Sequence, residues 1–280
     1  MWWDWADIEG WLVLNPVDYD GHQSSVYAKG RALPAEVTAA WMSAFSRHSP
    51  PGRPLSVLDL GSGTGRFTPA LAETFGGPVY GVEPSSGMRQ AALADAAHPA
   101  VTYLEGSACA IPLPDASADV VLLFLVWQHV PDREAAAGEI RRVLRPGGRV
   151  LFRSTFGDRL PEGSWLGYFP GAAAVEAAMF PALAEVEAEF AGAGLRQVAL
   201  DVARIQTVES LTAYVERLRL RAISTFEYLS EEEIEQGFAR MDADVAAGTP
   251  AFRLAEDGDL LVVSCSRPVP MVPATLAAPG

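Results

Sequence analysis

The sequence predicts an α/β protein: a Rossmann-like, seven-stranded, mostly parallel sheet with helices on both faces and a helical insert before the last strand. Three observations carry that expectation. Apolar runs of strand length alternate with amphipathic segments between residues 55 and 155, the pattern of βαβ units whose sheet is buried on both faces. A glycine-punctuated turn, VLDLGSGTGRFTPAL (57–71), stands where the first such strand passes into a helix. After Phe156 the alternation gives way to a Pro/Gly/aromatic connector, helical stretches and one more strand.

The elements follow in order. Residues 1–20 are rich in tryptophan and have no clear period; they read as a covering segment, a lid or a dimer contact. PAEVTAAWMSAFSR (34–47) reads as a helix, with Pro34 at its first position and Val37, Trp41, Met42 and Phe45 sharing one face. Strands follow at 55–60, 79–83, 101–106, 119–126 and 148–155, with helices between them at 66–75, 85–97 and 132–144. The connector GDRLPEGSWLGYFPG leads into one helix over 172–193, ended by Gly194, and then an alternating strand, LRQVALDVARIQT. Residues 208–247 have helical character, with a fresh start at Ser230 before EEEIEQ. DLLVVSCSR (259–267) is the last strand, and a Pro/Ala-rich tail closes the chain. These boundaries divide it into an N-terminal helical or lid segment (1–50), a core (51–207 and 259–267), a helical cap (208–258) and a loose tail (268–280).

Bulk properties narrow the function. A formal charge of −14 disfavours polyanions, because DNA, RNA and anionic membranes call for a basic stripe. RRVLRPGGR is the densest basic stretch, and glycines break it. Cys109 and Cys265 are far apart and form no CxxC pair, so neither a disulfide framework nor a zinc cluster is expected and a cytoplasmic setting is the default. MWWDWADIEGW is acidic and lacks the basic region of a secretion signal. VVLLFLVW has the length of a buried strand, not of a membrane span.

The glycine turn then poses the question of its ligand. Gly61, Gly63 and Gly65 can adopt positive φ and let a ligand approach the main chain. A dinucleotide fingerprint spaces its glycines as G-x-G-x-x-G; here Arg66 stands where that third glycine belongs. Asp59, two residues before the first glycine, would repel a diphosphate and attract an ammonium or sulfonium. The next strand ends at Glu83, a carboxylate placed to accept both hydroxyls of a ribose. Together these point to a nucleoside that carries a positive charge and away from a nicotinamide-dependent oxidoreductase.

These residues resemble the class I S-adenosylmethionine-dependent methyltransferases, in the branch of ubiquinone/menaquinone-type and natural-product small-molecule enzymes. VLDLGSGTG is similar to the family's first motif, VYGVEPSSGM to its ribose-binding motif, EGSACAIPLPDASADVV to its adenine-side segment, and EIRRVLRPGGRVLF to the turn before the fifth strand. The resemblance covers about residues 15 to 155. It implies S-adenosyl-L-methionine as cofactor, S-adenosyl-L-homocysteine as product, and a small organic acceptor. It further implies that Asp59 and the backbone of Gly61, Ser62, Gly63 and Gly65 hold the methionine part, and Glu83 the ribose. Pro84 and Met88 would pack on ribose and adenine, and Ser107 and Ala108 would meet the adenine edge; Phe124 and Trp127, from the end of the fourth strand, either line the cofactor–acceptor junction or belong to the core. Ser107 departs from the family's usual aspartate, which removes one charge-assisted contact. In VDYDGHQSSVYAKGR, similar to the N-terminal segment that folds over the cofactor, Tyr27 and Arg31 are candidates for the cofactor carboxylate and Tyr19 and His22 for the acceptor, the alternative for all four being packing or surface salt bridges.

Methyl transfer from a sulfonium is an in-line displacement, so the protein mainly aligns the acceptor at about 3 Å and excludes water. His129, just after the fourth strand, is either a base for a protonated acceptor, with an ordinary pKa near 6.5, or a structural residue of its loop. No metal is expected, since Asp119 begins the fourth strand and Asp132 stands alone. The insert, with Leu211, Tyr214, Val215, Leu218, Phe226 and Tyr228, and the connector, with Trp165, Tyr168 and Phe169, would shape an enclosed, partly apolar acceptor pocket. The expected enzyme is a monomer or homodimer of secondary metabolism. The alternative is a protein of the same fold that binds the cofactor without transferring methyl.

Overall fold

The computed structural model describes residues 33–161, 164–203, 205, 210–248 and 258–265. Seven strands form one sheet in the order β3-β2-β1-β4-β5-β7-β6: β1 Leu55–Leu60, β2 Gly76–Glu83, β3 Val101–Glu105, β4 Ala118–Phe124, β5 Leu144–Ser154, β6 Leu195–Ala203 and β7 Gly258–Cys265. β1 to β5 pair in parallel, whereas β7 runs antiparallel to both β5 and β6. β1 is buried at all six positions, which is why it reads as an unbroken apolar run rather than an alternation.

Helices cover both faces. α1 (Ala35–His48) and α2 (Thr68–Phe75) pack one face through Val37, Trp41, Phe45, Leu71 and Phe75 against Val57, Val120, Leu122 and Val262. On the other face, α4 (Arg133–Val143) and α6 (Leu183–Gly192) place Ile140, Val143, Val186 and Phe190 on Leu58, Leu123, Val150 and Phe152. Each such fully buried side chain stabilises the fold by about 1.5–3 kcal/mol relative to exposure. Local chemistry sets the helix starts. Ser85 caps α3 (Ser86–Asp95) by accepting from Met88 N at 3.1 Å, and Asp132 caps α4 by accepting from Ala135 N at 2.9 Å. Pro34 precedes α1 in the cap position, one residue earlier than its expected place inside the helix.

The expected single helix over 172–193 is two. α5 (Ala172–Met179) ends at Phe180, and α6 starts at Leu183. Pro181 lies between them, and it has neither the N–H nor the steric room to continue a helix. Beyond β6, α7 (Leu211–Leu218), a 3-10 turn at Ser224–Tyr228 and α8 (Glu231–Ala246) complete the helical part. With the 3-10 turn Trp165–Tyr168 and the start of α5 they bury a second apolar cluster around Phe169, Phe226, Ile234 and Phe238. Ser230 caps α8 by accepting from Glu233 N, where the sequence places a helix start. Among the described residues no helix is long and apolar enough to cross a membrane.

Candidate active site

β1 pairs with β2 on one side and β4 on the other, so the chain changes direction across the sheet at its carboxyl end. Crevices form at such switch points. The glycine turn after β1 is tied down there: Gly61 N and Ser62 N both donate to Val82 O, at 2.8 and 3.2 Å, and Gly65 N donates to Ser62 O at 2.9 Å. Gly61, Gly63 and Gly65 all have positive φ, at 74°, 55° and 77°, so the turn requires them on backbone grounds alone.

Their bareness serves a purpose that the sequence reading did not foresee. A Cβ at Gly61 would lie 2.5 Å from Val126, and one at Gly65 would strike Tyr103 and Ala96. At these two positions the protein's own side chains leave no room for a Cβ. Tyr103 in turn donates to Ala96 O at 3.0 Å, fixing α3 against the turn. Between the two positions, Gly63 N–H donates to Glu83 Oε2 at 3.0 Å.

Two carboxylates flank that turn. Asp59, 4% exposed, accepts from Thr68 Oγ1 at 2.6 Å. Burial drives its pKa up from 3.8 to about 6; the Thr68 hydrogen bond and Arg66 act in the opposite direction, and the neighbouring Glu83 adds to the rise. A carboxyl held in this state gains by meeting a cation. Glu83, also buried, takes Gly63 N on one oxygen and Ser85 N on the other, at 3.0 and 2.9 Å. A carboxylate has about four acceptor directions in all, which suits a vicinal diol as an additional donor. Ser62 Oγ is buried with no hydrogen-bond partner among the described residues, an unusual state for a hydroxyl and one that a polar ligand would relieve.

The remaining predicted residues share this edge. Met88 is buried at the start of α3, next to the exposed Pro84. Ser107 and Ala108, half-buried, follow β3 and lie in a turn closed by a bridge between Ser107 and Ala110. That turn continues into a segment anchored from α4. Glu139 accepts from Ile111 N at 2.9 Å, while Arg142 donates to the carbonyls of Leu113 and Ile111 at 2.8 and 3.0 Å. The basic motif before β5 thus braces the segment that follows β3. Phe124, half-buried, ends β4. Tyr19, His22, Tyr27 and Arg31 lie outside the described residues.

His129 sits in a short 3-10 turn directly after β4. The residue is exposed, yet desolvation by the surrounding protein lowers its pKa to about 4. The expected pKa near 6.5 is therefore replaced by a ring that is neutral throughout the physiological range. Its Nε2 lies 3.1 Å from Gln128 Nε2. Trp127 belongs to the core: fully buried, it stacks on Phe190 at 5.1 Å and donates to Glu189 Oε2 at 2.6 Å. Among the described residues no cluster of His, Cys, Asp and Glu is able to hold a metal ion.

Sequence reasoning missed several supports. Thr68 and Arg89 contact the carboxylate edge, Arg89 through Glu83 O and Pro84 O at 2.8 and 2.7 Å. Thr68 lies nine residues after Asp59 and opens α2, a position where it reads simply as a helix start. Leu125 was silent in the sequence as well. It adopts φ 59°, rare for a residue with a side chain, and packs against Val175, Met179 and Phe180. The end of β4 therefore joins the glycine turn, through Val126, to α5, through Leu125.

Comparison with known proteins agrees with this geometry. Residues 58–152 match the family model described as a methyltransferase domain. A demethylmenaquinone methyltransferase of Lactococcus lactis is 39% identical over 112 residues, covering 38% of this chain and 44% of that protein. An uncharacterized methyltransferase of Mycobacterium bovis is 39% identical over 142 residues, covering 50% and 54%. The chain thus spans about half the length of the curated relatives it matches. Among solved structures, a candidate methyltransferase from an antibiotic biosynthesis pathway of Anabaena variabilis superposes with a TM-score of 0.69 at 23% identity, covering 84% of this chain and 99% of that one. That similarity concerns the fold. The motifs in order, the sheet order and the matched region agree: residues 58–152 are similar to a methyltransferase domain, and the sheet around them has the fold of solved methyltransferases.

Proposed function

We propose that this chain transfers a methyl group from S-adenosyl-L-methionine to a small, partly apolar organic acceptor of secondary metabolism. The observation that carries this reading is the pair of buried carboxylates, Asp59 and Glu83, on either side of the Gly63 N–H at the carboxyl edge of the sheet. Asp59 would hold the charged methionine end, Glu83 the ribose hydroxyls, and Met88 with Ser107 and Ala108 the adenine. When bound, the cofactor supplies an already activated methyl group on a positive sulfur. The chain's own part is to position and to exclude water. The cap and connector aromatics, Trp165, Phe169, Phe226 and Phe238, form an apolar cluster, and its neighbour cluster around Met179 and Phe180 meets Leu125 at the end of β4. An enclosed apolar neighbourhood favours a small acceptor. The acidic charge of the chain disfavours a nucleic acid. The Anabaena relative of similar fold, tied to antibiotic biosynthesis, supports a place in secondary metabolism.

His129, whose pKa is lowered to about 4, would serve by hydrogen-bonding and orienting the acceptor rather than as a strong base. The test uses labelled S-adenosylmethionine with a panel of phenols, carboxylic acids and acidic carbons. Label should pass to at least one acceptor, and His129→Ala should slow that transfer about tenfold while leaving S-adenosylhomocysteine affinity intact. Binding of the cofactor without transfer to any acceptor would reject the reading in favour of a non-methylating protein.

A further inference from the structure

At the carboxyl ends of β4 and β5 two buried polar atoms, Gln128 Oε1 and Ser154 Oγ, have no hydrogen-bond partner among the described residues. Ser154 is 1% exposed and closes β5. Buried amides and hydroxyls nearly always find a partner, and one left unpaired destabilises the fold. The Gln128 amide is held so that its oxygen is the end left over. Its Nε2 donates to Leu125 O at 2.8 Å and lies 3.1 Å from His129 Nε2. Turning the amide over would set an oxygen against the Leu125 carbonyl, so the nitrogen stays on that side. With His129 uncharged, its Nε2 accepts from the same nitrogen, which occupies both N–H groups of the amide.

We propose that Gln128 and Ser154 bind the methyl acceptor through its hydroxyl groups. The inference rests on the methyltransferase reading and names the acceptor's chemical class: a neutral phenol or alcohol. The position fits. Val126, two residues before Gln128, sits over Gly61 of the glycine turn, and Leu125 packs on Met179 and Phe180 of α5. Leu125 N–H donates to Arg153 O at 2.9 Å, which ties this segment to the residue before Ser154. Trp127, the neighbour of Gln128, lies 5.8 Å from Phe152, and Ser154 stands two residues beyond Phe152 on the same face of β5. The chemistry narrows the ligand. Gln128 Oε1 only accepts, so the group that meets it must donate, which a carboxylate cannot do. An ammonium donates, but beside a neutral amide and a neutral hydroxyl its charge would be buried unpaired. A hydroxyl donates to Gln128 and meets Ser154 as either donor or acceptor. An analogue without that proton leaves the amide oxygen unpaired again, and a site of this kind rejects it.

The experiment titrates the S-adenosylhomocysteine-loaded protein calorimetrically with phenols and alcohols, each paired with its fluoro analogue (4-hydroxyacetophenone with 4-fluoroacetophenone among them), which lacks the proton. At least one hydroxylated compound should bind about tenfold or more tightly than its fluoro partner. Ser154→Ala and Gln128→Met should each reduce that ratio about threefold or more while sparing S-adenosylhomocysteine affinity. A second readout is independent of the panel. Because the Ser154 hydroxyl has no partner to lose, Ser154→Ala should hold or raise the thermal midpoint of the ligand-free protein. Absence of a hydroxyl preference across the panel overturns the proposal, and so does tighter binding of the corresponding carboxylates, such as 4-acetylbenzoate. A lowered midpoint for Ser154→Ala overturns it as well, since the hydroxyl would then be satisfied without a ligand. Failure of the unmutated protein to bind S-adenosylhomocysteine would instead reject the methyltransferase reading itself.

Discussion

At Asp59 two demands oppose each other. Burial raises its pKa to about 6 against 3.8 for a free aspartate, so the folded chain without ligand holds the proton more tightly than the unfolded chain does. Between those two values the native state binds more protons, and this group's contribution to stability falls as pH rises through the window. A cationic ligand reverses the preference, since it favours the carboxylate. Cofactor affinity should therefore rise as pH climbs through 6, by about tenfold between pH 5 and pH 7, as calorimetry at matched ionic strength would show. Asp59→Asn keeps an acceptor for Thr68 and removes the buried charge. It should stabilise the ligand-free protein at pH 7 by on the order of 2 kcal/mol, an advantage that shrinks toward pH 4, while weakening S-adenosylhomocysteine binding at least tenfold. A variant that is destabilised at neutral pH would show that the charge is better solvated than its burial suggests. Asp59 and Glu83 were legible because their spacing from the glycines is local in the chain. Thr68 was not, since only packing brings it to Asp59.

Among the elements, two glycines inside helices separate propensity from packing. Gly138 in α4 is exposed, and a Cβ there would meet nothing within 4 Å. Gly237 in α8 is buried, and a Cβ there would collide with the Phe169 ring. Alanine favours a helix interior over glycine by about 1 kcal/mol, so Gly138→Ala should raise the urea midpoint. Overfilling a packed contact costs roughly 1–3 kcal/mol, so Gly237→Ala should lower that midpoint despite the same gain in propensity. Equal behaviour of the two variants would mean that α8 can shift away from Phe169. The sequence marks the strands and the caps at Ser85, Asp132 and Ser230 because each depends on a few neighbouring residues. It misleads over 172–193, where the apolar period continues across Pro181 although the backbone cannot.

For the molecule as a whole, the glycine turn, the end of β4 and α5 form one connected set of contacts, through Val126 on Gly61 and Leu125 on Met179 and Phe180. A ligand that binds only the folded form stabilises it by about 2.7 kcal/mol at a concentration one hundred times its dissociation constant. S-adenosylhomocysteine at that excess should raise the thermal midpoint by roughly 5 °C or more. NADH at the same concentration should leave it unchanged, and a shift with NADH alone would contradict the charge argument made for Asp59. The sequence by itself determined the sheet's α/β class, the glycine turn and the two carboxylates that face it, because strand burial, turn chemistry and motif spacing are encoded over short stretches of chain. Tertiary structure alone decided which glycines are closed by Val126 and Tyr103, that His129 is held neutral, and that Arg66, Arg153 and Trp41 gather on Phe124. These depend on desolvation and on contacts between residues far apart in the chain, and both arise only once the sheet has brought those residues to a common edge.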